Sequence, residues 1–226
     1  MLYLTAQSFI AIITARSGSK ALPNKNIQKV GNRTLIEITA EEALASGIFS
    51  EIVFSTDSEE YAEILRPYGV TIDLRPQYLA EDTTPHLDTL RYVLRRYPDH
   101  QDYMLLQPTS PFRRAEHMIE AYKLYQTGQF DSVVSFTQVD KPTRLITRLV
   151  DDKPVDIYGN DKAYTRQGQE KEYTTNGAIY ISSKGNYLKK GSYLDEHCGV
   201  YLMNKRDSLD IDDEIDLLLA NVLNNQ

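Results

Sequence analysis

Residues 9–26 read FIAIITARSGSKALPNKN, and the character of the chain changes abruptly at Arg16. Phe9 to Ala15 are apolar or β-prone, whereas Arg16 to Lys20 are small, polar and cationic. An apolar run of this length, stopped by a Gly/Ser loop, predicts a strand buried on both faces, as in a parallel sheet. A loop that leaves the carboxyl end of such a strand lies where open α/β sheets bind ligands. Gly18 and Ser19 let backbone N–H groups come close to an anion, and Arg16, Lys20 and Lys25 add positive charge from the same loop. That combination suits a polyphosphate, through charge-assisted hydrogen bonds. The spacing is neither GxxxxGK[ST] nor GxGxxG, so the loop belongs to neither common phosphate-binding class.

Working outward, apolar strand-like runs alternate with amphipathic helical ones. Helices are expected at 35–45, 58–68, 87–97, 116–127 and 213–223, and strands at 51–56, 70–74, 103–107, 132–137, 175–182 and 199–203. Ser58 reads as a helix cap, and Gly47 and Gly69 as helix stops. The alternation predicts an α/β fold with a doubly wound, mostly parallel sheet and all strand-end loops on one edge. Residues 141–173 break the pattern, being polar, charged and rich in Tyr and Gln. The expectation is one domain over 1–226 carrying an insertion at 141–173.

The chain has 226 residues, a net charge of −7 and one cysteine, Cys198. An acidic chain offers no domain-wide basic surface for a nucleic-acid backbone. One thiol excludes an intrachain disulfide and a thiolate zinc cluster. No apolar run reaches bilayer length, and 1–8 lacks a charged leader, so a cytoplasmic protein without a membrane partner is expected. The histidines His86, His100, His117 and His197 show no ligand spacing and read as surface or helix-end residues.

Two further stretches carry chemistry. In LLQPTSPFR, 105–113, two prolines fix a rigid turn that presents Gln107, Thr109 and Ser110 at the sheet edge. In LDIDD, 209–213, an extended backbone places Asp210 and Asp212 on one face and Ile211 on the other. Two adjacent carboxylates repel, and a hard divalent cation relieves that repulsion; Mg²⁺ takes one or two carboxylates together with substrate phosphates. Acidic residues also suit helix starts, which accounts for Asp213 and Glu214.

These blocks, in this order, resemble the acylneuraminate cytidylyltransferases, the CMP-sialic acid synthetases. ARSGSKALPNKN matches that family's A-R-x-x-S-K-x-x-x-x-K-N loop at Ala15, Arg16, Ser19, Lys20, Lys25 and Asn26. STDSEEYAEIL and GVTIDLRP with AEDTT behind them, LLQPTSPFR, TNGAIYI and LDIDD match four more blocks. The resemblance implies a Rossmann-like nucleotidyltransferase fold and a Mg²⁺-dependent (or Mn²⁺-dependent) enzyme. That enzyme would join CMP from CTP to the anomeric hydroxyl of a nonulosonic acid. It implies that Arg16, Lys25 and Asp212 are catalytic. It assigns Ala15, Arg16, Ser19, Lys20, Lys25, Asn26, Arg75 and, more weakly, Asp82 to the nucleotide, and Asp210 and Asp212 to the metal. It places Gln107, Arg144, Arg166, Asn176 and Tyr180 at the sugar, and it implies a homodimer built on 141–173. Tyr173, Thr174 and Thr175 stand where the family usually has F-R-P, which leaves the identity of the sugar open among sialic, Kdo, pseudaminic and legionaminic acids. A catalytically silent nucleotide-binding module is the alternative from another class.

Overall fold

The computed structural model describes residues 9–155 and 170–225, with the side chain of Arg144 left out. In chain order the strands are β1 Phe9–Ala15, β2 Lys29–Val30, β3 Arg33–Thr34, β4 Glu51–Thr56, β5 Thr71–Leu74 and β6 Asp102–Leu106. They continue with β7 Ser132–Gln138, β8 Arg148–Val150, β9 Lys153–Val155, β10 Tyr173–Ser183 and β11 Cys198–Leu202. The helices are α1 Leu35–Ser46, α2 Glu59–Leu65, α3 His86–Arg96, α4 Ala115–Gln126, α5 Lys184–Lys190 and α6 Glu214–Asn224.

Seven strands form one sheet in the order β11-β7-β10-β6-β1-β4-β5. β1 pairs in parallel with β4 and β6, β4 with β5, and β11 with β7. β10 alone is antiparallel to its neighbours β6 and β7. The mostly parallel, doubly wound reading therefore stands, with one reversed strand that periodicity cannot reveal. The reversal has a consequence for function: it brings the start of β10 to the edge where the parallel strands end.

β1 shows why this sheet is covered on both sides. Phe9, Ala11, Ile13 and Ala15 enter one core with α1, α2 and α4, while Ile10 and Ile12 enter the other with α3 and α5. Period-two alternation sends successive side chains to opposite faces, so an all-apolar strand needs a layer on each. Each fully buried aliphatic side chain contributes roughly 1.5–3 kcal/mol. A third, smaller core joins Leu22, Val30, Leu35 and Ile38 to Ile211 and Ala220, and this fastens α6 beside the β1 loop.

Local chemistry sets the boundaries. Thr34 and Glu37 form a capping box on α1, and Gly47 ends that helix in the left-handed region. The Ser58 hydroxyl accepts from the Tyr61 N–H at the start of α2, and Gly69 closes the turn after it. Within 141–173, where no regular element was expected, β8 and β9 form a short hairpin. α5 and the β2–β3 ribbon were also not foreseen, being only seven and two-plus-two residues long.

Candidate active site

The loop after β1 is held at both ends. The Asp57 carboxylate, at the carboxyl end of β4, accepts from the Ser17 N–H at 3.0 Å and from the Ser17 hydroxyl at 2.6 Å. The Asn26 amide is buried and donates to the Arg16 carbonyl at 3.0 Å. Asn26, expected at the ribose, thus also braces the loop that carries Arg16. Arg75, just past β5, is buried; its guanidinium donates to the Ser55 carbonyl and lies 3.8 Å from Asp57. Burial pushes Arg75 below its ordinary value, against the raising influence of Asp57 and Asp73.

The acidic stretch meets this loop across the cleft. Ile211 is fully buried, and its N–H donates to the Thr109 carbonyl at 2.8 Å, which ties LDIDD to the proline turn. Asp210 is half-buried; burial raises its pKa, and the nearby Asp212 charge adds to that, while a Thr109 hydrogen bond opposes it. Its Oδ1 atom is buried without a hydrogen-bond partner. Asp212 is exposed and accepts from Lys25 Nζ at 3.0 Å. Asp213 caps α6 by accepting from the Ile215 and Asp216 N–H groups, in line with the expected helix-start role.

A third wall comes from the proline turn and the reversed strand. Arg113 is fully buried and donates to the Gln107 carbonyl at 2.8 Å, the Ala178 carbonyl at 3.0 Å and the Thr39 hydroxyl at 2.9 Å. Burial pushes its guanidinium down to about 9. It thereby clamps β6 to β10 beneath the cleft. Above the clamp, Gly177 has φ +76°, and a β-carbon there would lie 2.7 Å from Gln107 Oε1 and 3.5 Å from Asp210 Oδ2. Only glycine permits that approach at that backbone angle.

These walls enclose a cleft of about 380 Å³. Of the residues singled out from the sequence, Arg16, Lys25, Asn26, Arg75, Asp82, Gln107, Thr109, Asp210 and Asp212 line it. Ala15, Ser19, Lys20, Asn176 and Tyr180 do not. Ala15 is buried in the sheet, and Lys20 reaches the cleft indirectly, through an ion pair with Asp82. Asn176 is buried: its side-chain oxygen accepts from Ser135, and its amide nitrogen donates to Ser208 and contacts Met203. That residue supports the β10 bend instead of facing the opening. Tyr180 packs against Tyr193, with centroids 5.0 Å apart. Ser110, expected at the edge, is buried behind the turn. Arg166 lies outside the described residues.

Sequence reasoning missed several lining residues. Thr14, Leu79, Thr89 and His86 all border the cleft, as do Glu81 and Thr84 of the AEDTT turn. His86 begins α3, as a helix-end residue should, yet its Nε2 sits 3.3 Å from Thr14 Oγ1. Burial, and then Arg75, push its pKa down. The positional signal for Thr14 was available, because every parallel-strand end faces this edge; the signal for His86 was not.

Among the described residues no group of three or more His, Cys, Asp or Glu side chains could hold a metal ion. The donor set is two carboxylates, one of them with an orphaned buried oxygen. That fits a magnesium ion completed by substrate phosphates and water, and it does not fit a zinc-type cage.

A family model described as cytidylyltransferase matches residues 10–223. The chain belongs to the cytidylyltransferase family. It is 42% identical over 212 residues to an N-acylneuraminate cytidylyltransferase of Escherichia coli O18:K1:H7, covering 93% of this chain and 51% of that protein. The chain thus spans about half the length of that relative. It is 35% identical over 234 residues to a CMP-N,N'-diacetyllegionaminic acid synthase of Legionella pneumophila, covering 95% of each. Among solved structures, a CMP:2-keto-3-deoxy-manno-octonic acid synthetase complexed with CTP shares the fold, with a TM-score of 0.71, 15% identity, and coverage of 95% of this chain and 97% of that one.

Proposed function

We propose that this chain transfers CMP from CTP to the anomeric hydroxyl of a nonulosonic acid and releases pyrophosphate. The observation that carries the reading is convergence. Arg16 and Lys25 of the β1 loop and the Asp210/Asp212 pair, nearly 200 residues apart, line one cleft, and the two groups meet directly at the 3.0 Å Lys25–Asp212 contact. The family membership supplies the reaction class that such a cleft would serve.

In the proposed reaction the sugar oxygen attacks the α-phosphorus in line with the bridging oxygen to the β-phosphorus. The new O–P bond forms as that bridging bond breaks, and pyrophosphate leaves with the electron pair. Arg16 and Lys25 offset the negative charge that builds on the triphosphate. Asp212 takes the proton of the attacking hydroxyl. Gln107, fixed from below by the Arg113 clamp, orients the sugar from the third wall. Arg75 reads the base, and Ser19 and Lys20 flank the phosphates. A magnesium ion held by Asp210 and Asp212, with manganese as its substitute, would supply further positive charge when bound.

The test is release of pyrophosphate from CTP by the purified protein with magnesium, offered N-acetylneuraminate, legionaminic, pseudaminic and Kdo acceptors in turn. No release with any of them would refute the proposal and favour a silent nucleotide-binding module. The Legionella relative, which matches this chain end to end at 95% of each length, makes legionaminic acid the first alternative sugar.

The same proposal includes a homodimer built on 141–173 and a cytoplasmic setting. Its support is an apolar strip around the β8–β9 hairpin, where Leu145, Ile146, Leu149 and Val150 are exposed. Contiguous exposed apolar surface of this kind marks an interaction site. Light scattering that gives a monomer mass at micromolar concentration would refute the dimer.

A further inference from the structure

Asp82, which the resemblance assigned to the nucleotide, lines the cleft with its carboxylate 2.8 Å from Arg16 Nη1 and 2.7 Å from Lys20 Nζ. Both cations belong to the loop after β1. Asp82 comes from the turn between β5 and α3, so the Arg16–Asp82 bridge links two separate segments that line the cleft. The turn is closed within itself, by Thr84 N–H to Glu81 O at 3.1 Å and Thr84 Oγ1 to Tyr78 O at 2.7 Å. Arg16 adds one longer contact, to the Ala80 carbonyl at 3.4 Å. Lys20 and Arg16 hold the Asp82 carboxyl below its ordinary value. The remaining loop cation of the cleft, Lys25, is matched separately by Asp212.

We propose that Asp82 is the protein's own competitor for the anion site, a carboxylate that occupies Arg16 and Lys20 whenever phosphate does not. The inference rests on the nucleotide reading given above. A carboxylate and a phosphate offer the same acceptor oxygens to a guanidinium or an ammonium, so one geometry serves both and the two exclude each other. A triphosphate brings several charges and displaces a single carboxylate. After transfer, the departing pyrophosphate is met by a tethered carboxylate that returns to the same two cations. Asp82 therefore weakens anion binding, which is the opposite of what a residue that contacts the nucleotide would do, and it hastens product departure.

The experiment is titration of inorganic pyrophosphate into the protein in EDTA, by calorimetry, for wild type, Asp82→Asn and Asp82→Glu. Two partly exposed ion pairs of ordinary strength predict that Asp82→Asn binds pyrophosphate about three- to tenfold tighter. Asp82→Glu should stay near wild type. The gap should shrink in about 0.5 M salt, where exposed charges are screened. In an Arg16→Ala background the gain from Asp82→Asn should largely vanish. Equal or weaker binding by Asp82→Asn, with wild type still binding, overturns the competitor role and leaves the nucleotide reading intact. Failure of both proteins to bind pyrophosphate, in EDTA and again in magnesium, overturns both.

Discussion

Gly177→Ala separates backbone strain from disturbance of the site. Gly177 has φ +76°, and an added β-carbon would fall 2.7 Å from Gln107 Oε1. Gly69 has almost the same angle, +72°, with nothing within 4 Å. Forcing alanine into the left-handed region costs about 1–2 kcal/mol at either position. At about 2–4 °C per kcal/mol for a chain of this size, each variant should lose roughly 2–8 °C in Tm. The clash at Gly177 is with the end of a flexible side chain, so it adds little to the stability loss. What it does is push the Gln107 amide out of place. A displacement near 1 Å in an orienting group costs about a hundredfold in rate. The two variants should therefore melt alike, while kcat/KM falls about a hundredfold in Gly177→Ala and less than about twofold in Gly69→Ala. Differential scanning calorimetry and a pyrophosphate-release assay read the two effects. Full activity in Gly177→Ala would remove Gln107 from the site, and an equal activity loss in Gly69→Ala would show that strain alone explains the effect.

Lys25→Met should cut turnover by about 10²-fold or more, yet leave Tm nearly unchanged, because its partner Asp212 is exposed and such pairs contribute about 0–1 kcal/mol. Asp210→Asn removes a carboxylate whose pKa is raised in the fold, so its charged form opposes folding at neutral pH. In EDTA the variant should melt at or above the wild-type temperature, and added magnesium should raise the Tm of the wild type but not that of the variant. Arg113→Met strands the Gln107 and Ala178 carbonyls and should cost about 3 kcal/mol or more, seen as a lower urea midpoint. Arg16→Ala should raise KM for CTP and lower kcat; an unchanged KM and kcat would discard the loop assignment.

Much of the fold is legible because the signals are local. Phe9–Ala15 declares a doubly buried strand by its unbroken apolar run, and Ser58, Gly47 and Gly69 mark helix ends through cap geometry that operates within four residues. The reversal of β10 is not local. TNGAIYI reads as a strand in either direction, and only its pairing with β6 and β7 sets the direction. Partner choice defeats sequence reading elsewhere too. Asn176 looks like a free polar group in a motif, but Ser135 and Ser208 use its amide; and nothing in the sequence pairs Asp82 with the two cations it bridges.

The residue types that the proposed chemistry requires were all present in the linear order: a cationic loop after an apolar strand, a proline-braced Gln, and two aspartates on one side of an extended segment. Their types and spacing follow from covalent geometry and side-chain chemistry, which need no fold to be read. Tertiary structure alone brought Lys25 to Asp212, turned Gly177 toward Gln107, and buried Arg113 as a clamp beneath them. Those outcomes depend on strand order and on which strand runs backward, and these are settled by packing among segments far apart in the chain.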